Sequence, residues 1–294
     1  MQRIISFLIA SAMALGGYAA RAAGDSKAAE LLAQARAAIG GDKVSKVQGL
    51  SCAGTVARSI GDRQISGELT LDLQLPDKML RTDSISPMGD SALVITEQGI
   101  NGDTLLRGAR TVNTPPGAII RTPPPPPPGS DAEVQALRNS RAELARLAIG
   151  LLMTSPASLS VDFTYGGEAE SPDGKADVID AKGGSSFAAK LFLDKTSHRP
   201  LMMAYRGASP RMVVQTQRVT GTPPPDAGSH GGPQALPTPE IVDINLFFDD
   251  YKNVDGVQLP HHISRSVDGQ TVEELTCKTI KLNPAFKPDA FAKK

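Results

Sequence analysis

Asp249-Asp250-Tyr251-Lys252-Asn253-Val254-Asp255-Gly256-Val257-Gln258-Leu259-Pro260 opens the stretch whose reading decides the fold. It runs on through Ile263 to Asp268-Gly269, then Thr271 to Leu282, then Asn283-Pro284 to Phe291. The order is strand, tight turn, strand, tight turn, strand, extended tail. A three-residue turn over Asp268-Gly269-Gln270, with Gly in a left-handed position, sets Arg265 opposite Glu273, Ile263 opposite Leu275 and His261 opposite Cys277. The stretch contains no obvious catalytic group. It makes a sheet, and the expectation is a sheet that holds something.

The same pattern extends toward the N-terminus. Ile65, Leu69, Leu71, Leu73 and Leu75 alternate with Ser66, Glu68, Thr70, Asp72 and Gln74, a period-2 run with one apolar and one wet face. Leu50, Cys52 and Val56 form the strand before it, across a turn at Gly61-Asp62. Further strands are expected at Met79 to Ser84, Ala92 to Glu97, Thr104 to Arg107, Val161 to Tyr165, Ala176 to Ala181, Phe187 to Leu193, Leu201 to Tyr205 and Arg211 to Val219. Val242, Ile244, Leu246 and Phe248 alternate again. The total is about ten or eleven strands.

Two helices interrupt the strands. Ala28, Leu31, Leu32, Ala35, Ala38 and Ile39 form the stripe of an amphipathic helix from Asp25 to Ile39. Asp25 or Ser26 is its expected cap, and Gly40-Gly41 ends it. Ser130-Asp131-Ala132-Glu133 is a capping box opening a helix through about Leu152. Val134, Leu137, Leu144, Leu147, Ala148 and Leu151 lie on one side, and Arg138, Arg141, Glu143 and Arg146 occupy the rest. This helix is either packed permanently on the sheet or a lid over a cavity, with Leu137, Leu144 and Leu151 as its inner face. Residues 115–129, with Pro123 to Pro128 in a row, and residues 220–239 are low-complexity insertions. The simplest assembly is mainly β: a single, strongly curved antiparallel sheet with both helices across its concave face.

Composition narrows the function. Arg3, the apolar run Ile4 to Ala20 and the small-x-small Ala20-Arg21-Ala22 read as a signal peptide over residues 1–22, leaving 23–294 as one exported domain with no membrane span. Lys plus Arg and Asp plus Glu are balanced at 31 each, and aromatics are 4 % of the chain, so nucleic acid is not an expected partner. Cys52 and Cys277 lie in the first and last strands. They are either a disulfide, worth about 4–5 kcal/mol in the loop-entropy model, or two separate small core residues.

Catalytic and metal motifs are missing. His198, His230, His261 and His262 stand in no metal-ligand spacing. His261-His262 face opposite sides of a strand, and His261 shares parity with Leu259 and Ile263 at the core border. No nucleophile elbow, dinucleotide fingerprint or phosphate loop occurs, so no cofactor is implied. Asp249-Asp250 and Glu273-Glu274 read as solvated strand edges. What remains is an aliphatic interior, with Leu69, Leu71, Leu73, Met203, Val214, Leu246 and Phe248 as candidate cavity-lining positions. With no Trp and four Tyr, such a lining suits acyl chains better than stacked rings.

The order of elements resembles the outer-membrane lipoprotein-sorting superfamily, the LolA/LolB-like periplasmic carriers. The resemblance rests on the helix ending in Gly40-Gly41, the hairpin ending Leu75-Pro76-Asp77-Lys78, and the turn Asn101-Gly102-Asp103. It continues in Leu191-Phe192-Leu193-Asp194, Tyr251 to Leu259, and Ile280-Lys281-Leu282-Asn283-Pro284 with Phe291. It implies an unclosed half-barrel of about eleven strands with a helical lid over a hydrophobic cavity, binding lipid or lipoprotein acyl chains in the periplasm. In that family a basic residue before the Pro helps latch the lid; here the position is Leu75, with Arg81 as the candidate stand-in. Three functions follow as expectations: a non-catalytic lipid or lipoprotein carrier, a sensor or interaction module of the cell envelope with a protein partner, or, least supported, a hydrolase without a recognised motif.

Overall fold

The computed structural model describes residues 19–61, 63–86, 92–113, 126–172, 174–184, 186–209 and 240–292. The chain order begins with α1 (Ala19–Ile39) and a 3-10 turn (Gly41–Lys46). Five strands follow: β1 (Gly49–Ile60), β2 (Arg63–Gln74), β3 (Lys78–Ile85), β4 (Leu93–Asn101) and β5 (Thr104–Val112). After α2 (Asp131–Leu152) come β6 (Val161–Ser171), β7 (Gly174–Gly183), β8 (Phe187–Asp194) and β9 (Pro200–Ala208). The last three strands are β10 (Ile241–Val254), β11 (Val257–Val267) and β12 (Gln270–Leu282).

The twelve strands among the described residues form one antiparallel sheet in the order β5-β4-β3-β2-β1-β12-β11-β10-β9-β8-β7-β6. This is the expected single antiparallel sheet. The order explains why it stays open. Each half of the chain is a meander, and β1 pairs with β12 to join them. The edges β5 and β6 do not pair, because the connection between them is spent on α2 rather than on a hairpin. The expected strand Arg211 to Val219 and insertion 220–239, and all but the end of insertion 115–129, lie outside the described residues. So do residues 1–18 of the expected targeting segment.

The joining seam holds the disulfide. Cys52 and Cys277 are bonded across β1 and β12, with Cα atoms 5.5 Å apart and 225 residues between them in sequence. A bulge at Ala53/Gly54 shifts the register there, so that Cys52 faces Ile280 while Gly54 faces Cys277. Gly54 is required at this point: a Cβ would sit 1.8 Å from the Thr276 carbonyl oxygen.

The β11–β12 hairpin has the expected register and a different turn. Ile263 faces Leu275 and Arg265 faces Glu273. The turn is the two-residue Asp268-Gly269, both with positive φ (47° and 82°), and Val267 pairs with Gln270. A bulge between Arg265 and Ser266 then restores the expected pairing. His261 borders the core as expected, its Nδ1 2.8 Å from the Cys277 carbonyl oxygen.

Helix α1 begins at Ala19, so neither Asp25 nor Ser26 is its N-cap. The run Ala19-Ala20-Arg21-Ala22-Ala23 is strong helix former and carries the helix past the expected start. Its stripe Ala28, Leu31, Leu32, Ala35 and Ile39 is buried against the sheet, and Gly40 and Gly41, both at positive φ, end it. The α2 capping box forms in part. Ser130 Oγ accepts from the Glu133 amide at 3.2 Å, but Glu133 reaches one residue further back, to the Gly129 amide at 2.6 Å. At the C-terminal end of the chain, Phe286 and Phe291 cover Leu80 and Leu106, a separate apolar cluster.

A plugged half-barrel as the candidate functional site

The described cavity-lining candidates do come together. Leu69, Leu71 and Leu73 on β2, Met203 on β9, and Leu246 and Phe248 on β10 are all buried in one core cluster. Val214 lies outside the described residues. Leu144 and Leu151 of α2 are buried in the same cluster, with Leu137 half-buried against its edge. Aliphatic side chains on β2 and β10 thus meet through α2.

Helix α2 is more than an amphipathic lid. Its first half is largely exposed. From Leu144 to Leu152 every residue except Arg146 is buried, so this half is enclosed on all sides. It packs against β4 and β5 on one flank and β8 and β9 on the other, filling the gap that the unpaired edges leave. Gly150 makes the approach possible: a Cβ there would lie 2.2 Å from Phe248 Cζ. Arg36 of α1 donates from Nε to the Met153 carbonyl at 3.0 Å, placing a cation at the α2 C-terminus.

A void of about 10 Å³ lies beside the disulfide, lined by Leu71, Leu151, Leu259 and Ile263 among others, with room for at most one water molecule. The buried half of α2 stands among the residues expected to line a cavity.

Beside the apolar lining stands a buried ionic network. In register, Leu71 faces Arg81 and Leu69 faces Asp83, so charge begins where the aliphatic surface ends. Arg81 grips Glu273 with two hydrogen bonds, at 3.0 and 2.7 Å, and Asp83 with a third at 2.9 Å. Arg58 binds Glu273 at 2.8 Å and also pairs with Asp83. Arg265 stands 3.8 Å from Glu273 and makes a direct ion pair with Glu143 of α2. Arg146, also on α2, stacks 3.7 Å over the Tyr205 ring and 5.7 Å from Phe187.

Electrostatics follow from this geometry. Burial alone would raise the Glu273 carboxyl, but Arg81, Arg265 and Arg58 outweigh it and hold it far below the ordinary carboxylate range. Burial likewise opposes ionisation of Glu143, and Arg265 and Arg146 overcome it. The Tyr205 hydroxyl is pushed up to about 12 by burial and by the Glu143 charge.

Two sequence readings are corrected here. Glu273 is a buried hub rather than a solvated edge, because it shares the inward parity of Leu275 and Cys277. Its neighbour Glu274, of opposite parity, is half-buried. Arg81 does not stand in for a lid latch: its guanidinium is spent on Glu273 and Asp83, and Arg265 makes the contact with α2. Leu75 packs on the edge of the apolar core. Among the described residues, no group of three or more His, Cys, Asp or Glu is placed to hold a metal ion, and no helix is long and apolar enough to cross a membrane.

An unclosed antiparallel half-barrel with an inserted helix is the class this fold and site define. Three solved structures are similar to it in arrangement. One is a domain assigned to outer membrane lipoprotein sorting from Vibrio parahaemolyticus, at 11 % identity and TM-score 0.46 over 91 % of this chain and 97 % of that one. Another is a LolA superfamily protein from Nitrosomonas europaea, at 8 % identity and TM-score 0.47 over 90 % and 97 %. The third is a DUF1329 family protein from Desulfovibrio piger, at 9 % identity and TM-score 0.46 over 90 % and 96 %. No protein-family model and no curated protein sequence matches the chain.

Proposed function

We propose that this protein is an exported, periplasmic, non-catalytic carrier that takes up an acyl chain in the space its own helix α2 occupies when empty. The observation that supports it is the nature of the plug. The α2 side chains Leu144, Leu147 and Leu151 are buried in one apolar cluster with Leu69, Leu71 and Leu73 of β2 and Leu246 and Phe248 of β10, in a sheet whose two edge strands do not pair. With α2 lifted, that cluster becomes a trough presenting the flexible apolar surface that suits an acyl chain. The contacts that hold α2 are partly ionic, and ionic contacts re-form on closure without loss of register.

The burial of the second half of α2 in the core favours a second reading, a sensor or interaction module of the cell envelope whose core is permanently closed. Native mass spectrometry after mild extraction separates the two. A carrier retains lipid mass, or takes up acyl probes when delipidated. A protein that is consistently empty and takes up no probe overturns the carrier reading and leaves the interaction module.

A further inference from the structure

The carrier reading leaves one feature of the trough unexplained, which is why a buried ionic network borders an aliphatic surface. Arg265 gives the answer. Glu273 is already held by Arg81 and Arg58, so the carboxylate that Arg265 binds directly is Glu143. Glu143 belongs to the helix that must leave for the trough to open, whereas Arg265 belongs to the sheet that stays. Lifting α2 therefore strips the half-buried Arg265 of its direct carboxylate partner and leaves a place that another anion can take. The Nε atom of Arg265 is also buried without a hydrogen-bond partner, with a Glu273 carboxylate oxygen 3.8 Å away. Arg265 stays with the sheet when α2 leaves, so the guanidinium that now binds Glu143 is free to bind a replacement anion.

We propose, resting on the carrier reading, that the ligand is an aliphatic chain ending in an anion, carboxylate or phosphate, whose headgroup takes the place of the Glu143 carboxylate at Arg265. The chain lies in the trough vacated by Leu144, Leu147 and Leu151. Glu143 is then a resident stand-in for the headgroup, as those leucines are for the chain. The register supports the joint, since Leu71 faces Arg81 and Leu69 faces Asp83, and a ligand crossing that border meets apolar surface on one side and guanidinium on the other. Planar, weakly hydrated guanidinium suits recognition of a carboxylate or phosphate in such a site.

The test is binding of four probes to the delipidated full chain: palmitate, hexadecyl phosphate, hexadecanol and inorganic phosphate. The expected result is that both anionic amphiphiles bind at least about tenfold more tightly than hexadecanol, the worth of one charge-assisted hydrogen bond. Arg265→Met narrows that ratio to within about twofold. Glu143→Gln, which removes the resident competitor, tightens palmitate binding, a gain that misfolding cannot mimic. Equal binding of palmitate and hexadecanol overturns the anionic headgroup and leaves the carrier reading standing. Inorganic phosphate binding as tightly as hexadecyl phosphate overturns the chain-linked site. No binding of any amphiphile overturns the carrier reading and this proposal with it.

Discussion

The Arg146 guanidinium of α2 lies 3.7 Å over the ring of Tyr205 on β9, and the same side chain pairs with Glu143 one helical turn away. One residue thus ties the buried half of α2 to the sheet through a stacked cation and steadies the carboxylate that Arg265 grips. Arg146→Ala is expected to cost about 2 kcal/mol of stability, the sum of a desolvated stack and a charged hydrogen bond. Amide exchange over residues 143–152 rises before the rest of the protein is affected. Arg146→Lys restores part of the protection. Unchanged exchange in Arg146→Ala shows that the stack does not hold the helix.

Glu273 carries the pH dependence. A carboxyl held below its ordinary value contributes stability that is complete above that value and is lost as pH falls toward the folded-state value. Glu273 and Glu143 are both held down, from an ordinary value of 4.5. Unfolding midpoints should therefore be flat above about pH 5 and fall steadily below about pH 4.5. Glu273→Gln costs about 3–5 kcal/mol at neutral pH, because it leaves buried guanidiniums short of a counter-charge. The difference from wild type shrinks on acidification. A difference that stays constant down to pH 3 refutes the assignment.

Gly150 sets how deeply α2 is inserted. Gly150→Ala drives a methyl group against the Phe248 ring, with an expected loss of about 1–3 kcal/mol. Because the strain lies in one contact, Phe248→Leu added to Gly150→Ala should recover stability relative to the single variant. Calorimetry of the two single variants and the double variant checks the coupling. Additive losses mean that the helix–sheet approach is not limited at this pair.

The Cys52–Cys277 bond closes the seam between the two meanders. Replacing both cysteines by serine is expected to lower stability by up to about 5 kcal/mol, the value for so long a closed loop. The β1–β12 pairing survives, since its ladder and Gly54 bulge do not depend on the sulfur atoms. Denaturant unfolding with and without reductant reads the cost, and strand amide exchange reads the pairing. A wild-type protein insensitive to reductant contradicts it.

The alternation through Leu69, Leu71 and Leu73 named both a strand and its buried face, because in a sheet those are one fact. The register from Arg265 and Glu273 through Ile263 and Leu275 was legible for the same reason, although the turn that achieves it is shorter by one residue and corrected by a bulge. Glu273 itself was misread. Its parity placed it inward beside Leu275, but its charge argued for solvent, and only the convergence of Arg58 from β1 and Arg81 from β3 makes burial affordable. Those strands are about two hundred residues away in the chain, and no local pattern connects them.

By itself the sequence determined the strands, the two helices, the antiparallel class and the aliphatic character of the interior, all of which follow from local periodicity and turn chemistry. Only the tertiary structure decided that the two cysteines meet, that the sheet stays open between β5 and β6, and that α2 is driven into the gap. The physical reason is that space is shared between distant segments. Whether an apolar trough is empty or plugged depends on volumes from β2, β10 and α2 together. Likewise, whether a carboxylate is buried or wet depends on guanidiniums that only the closed meander brings to it.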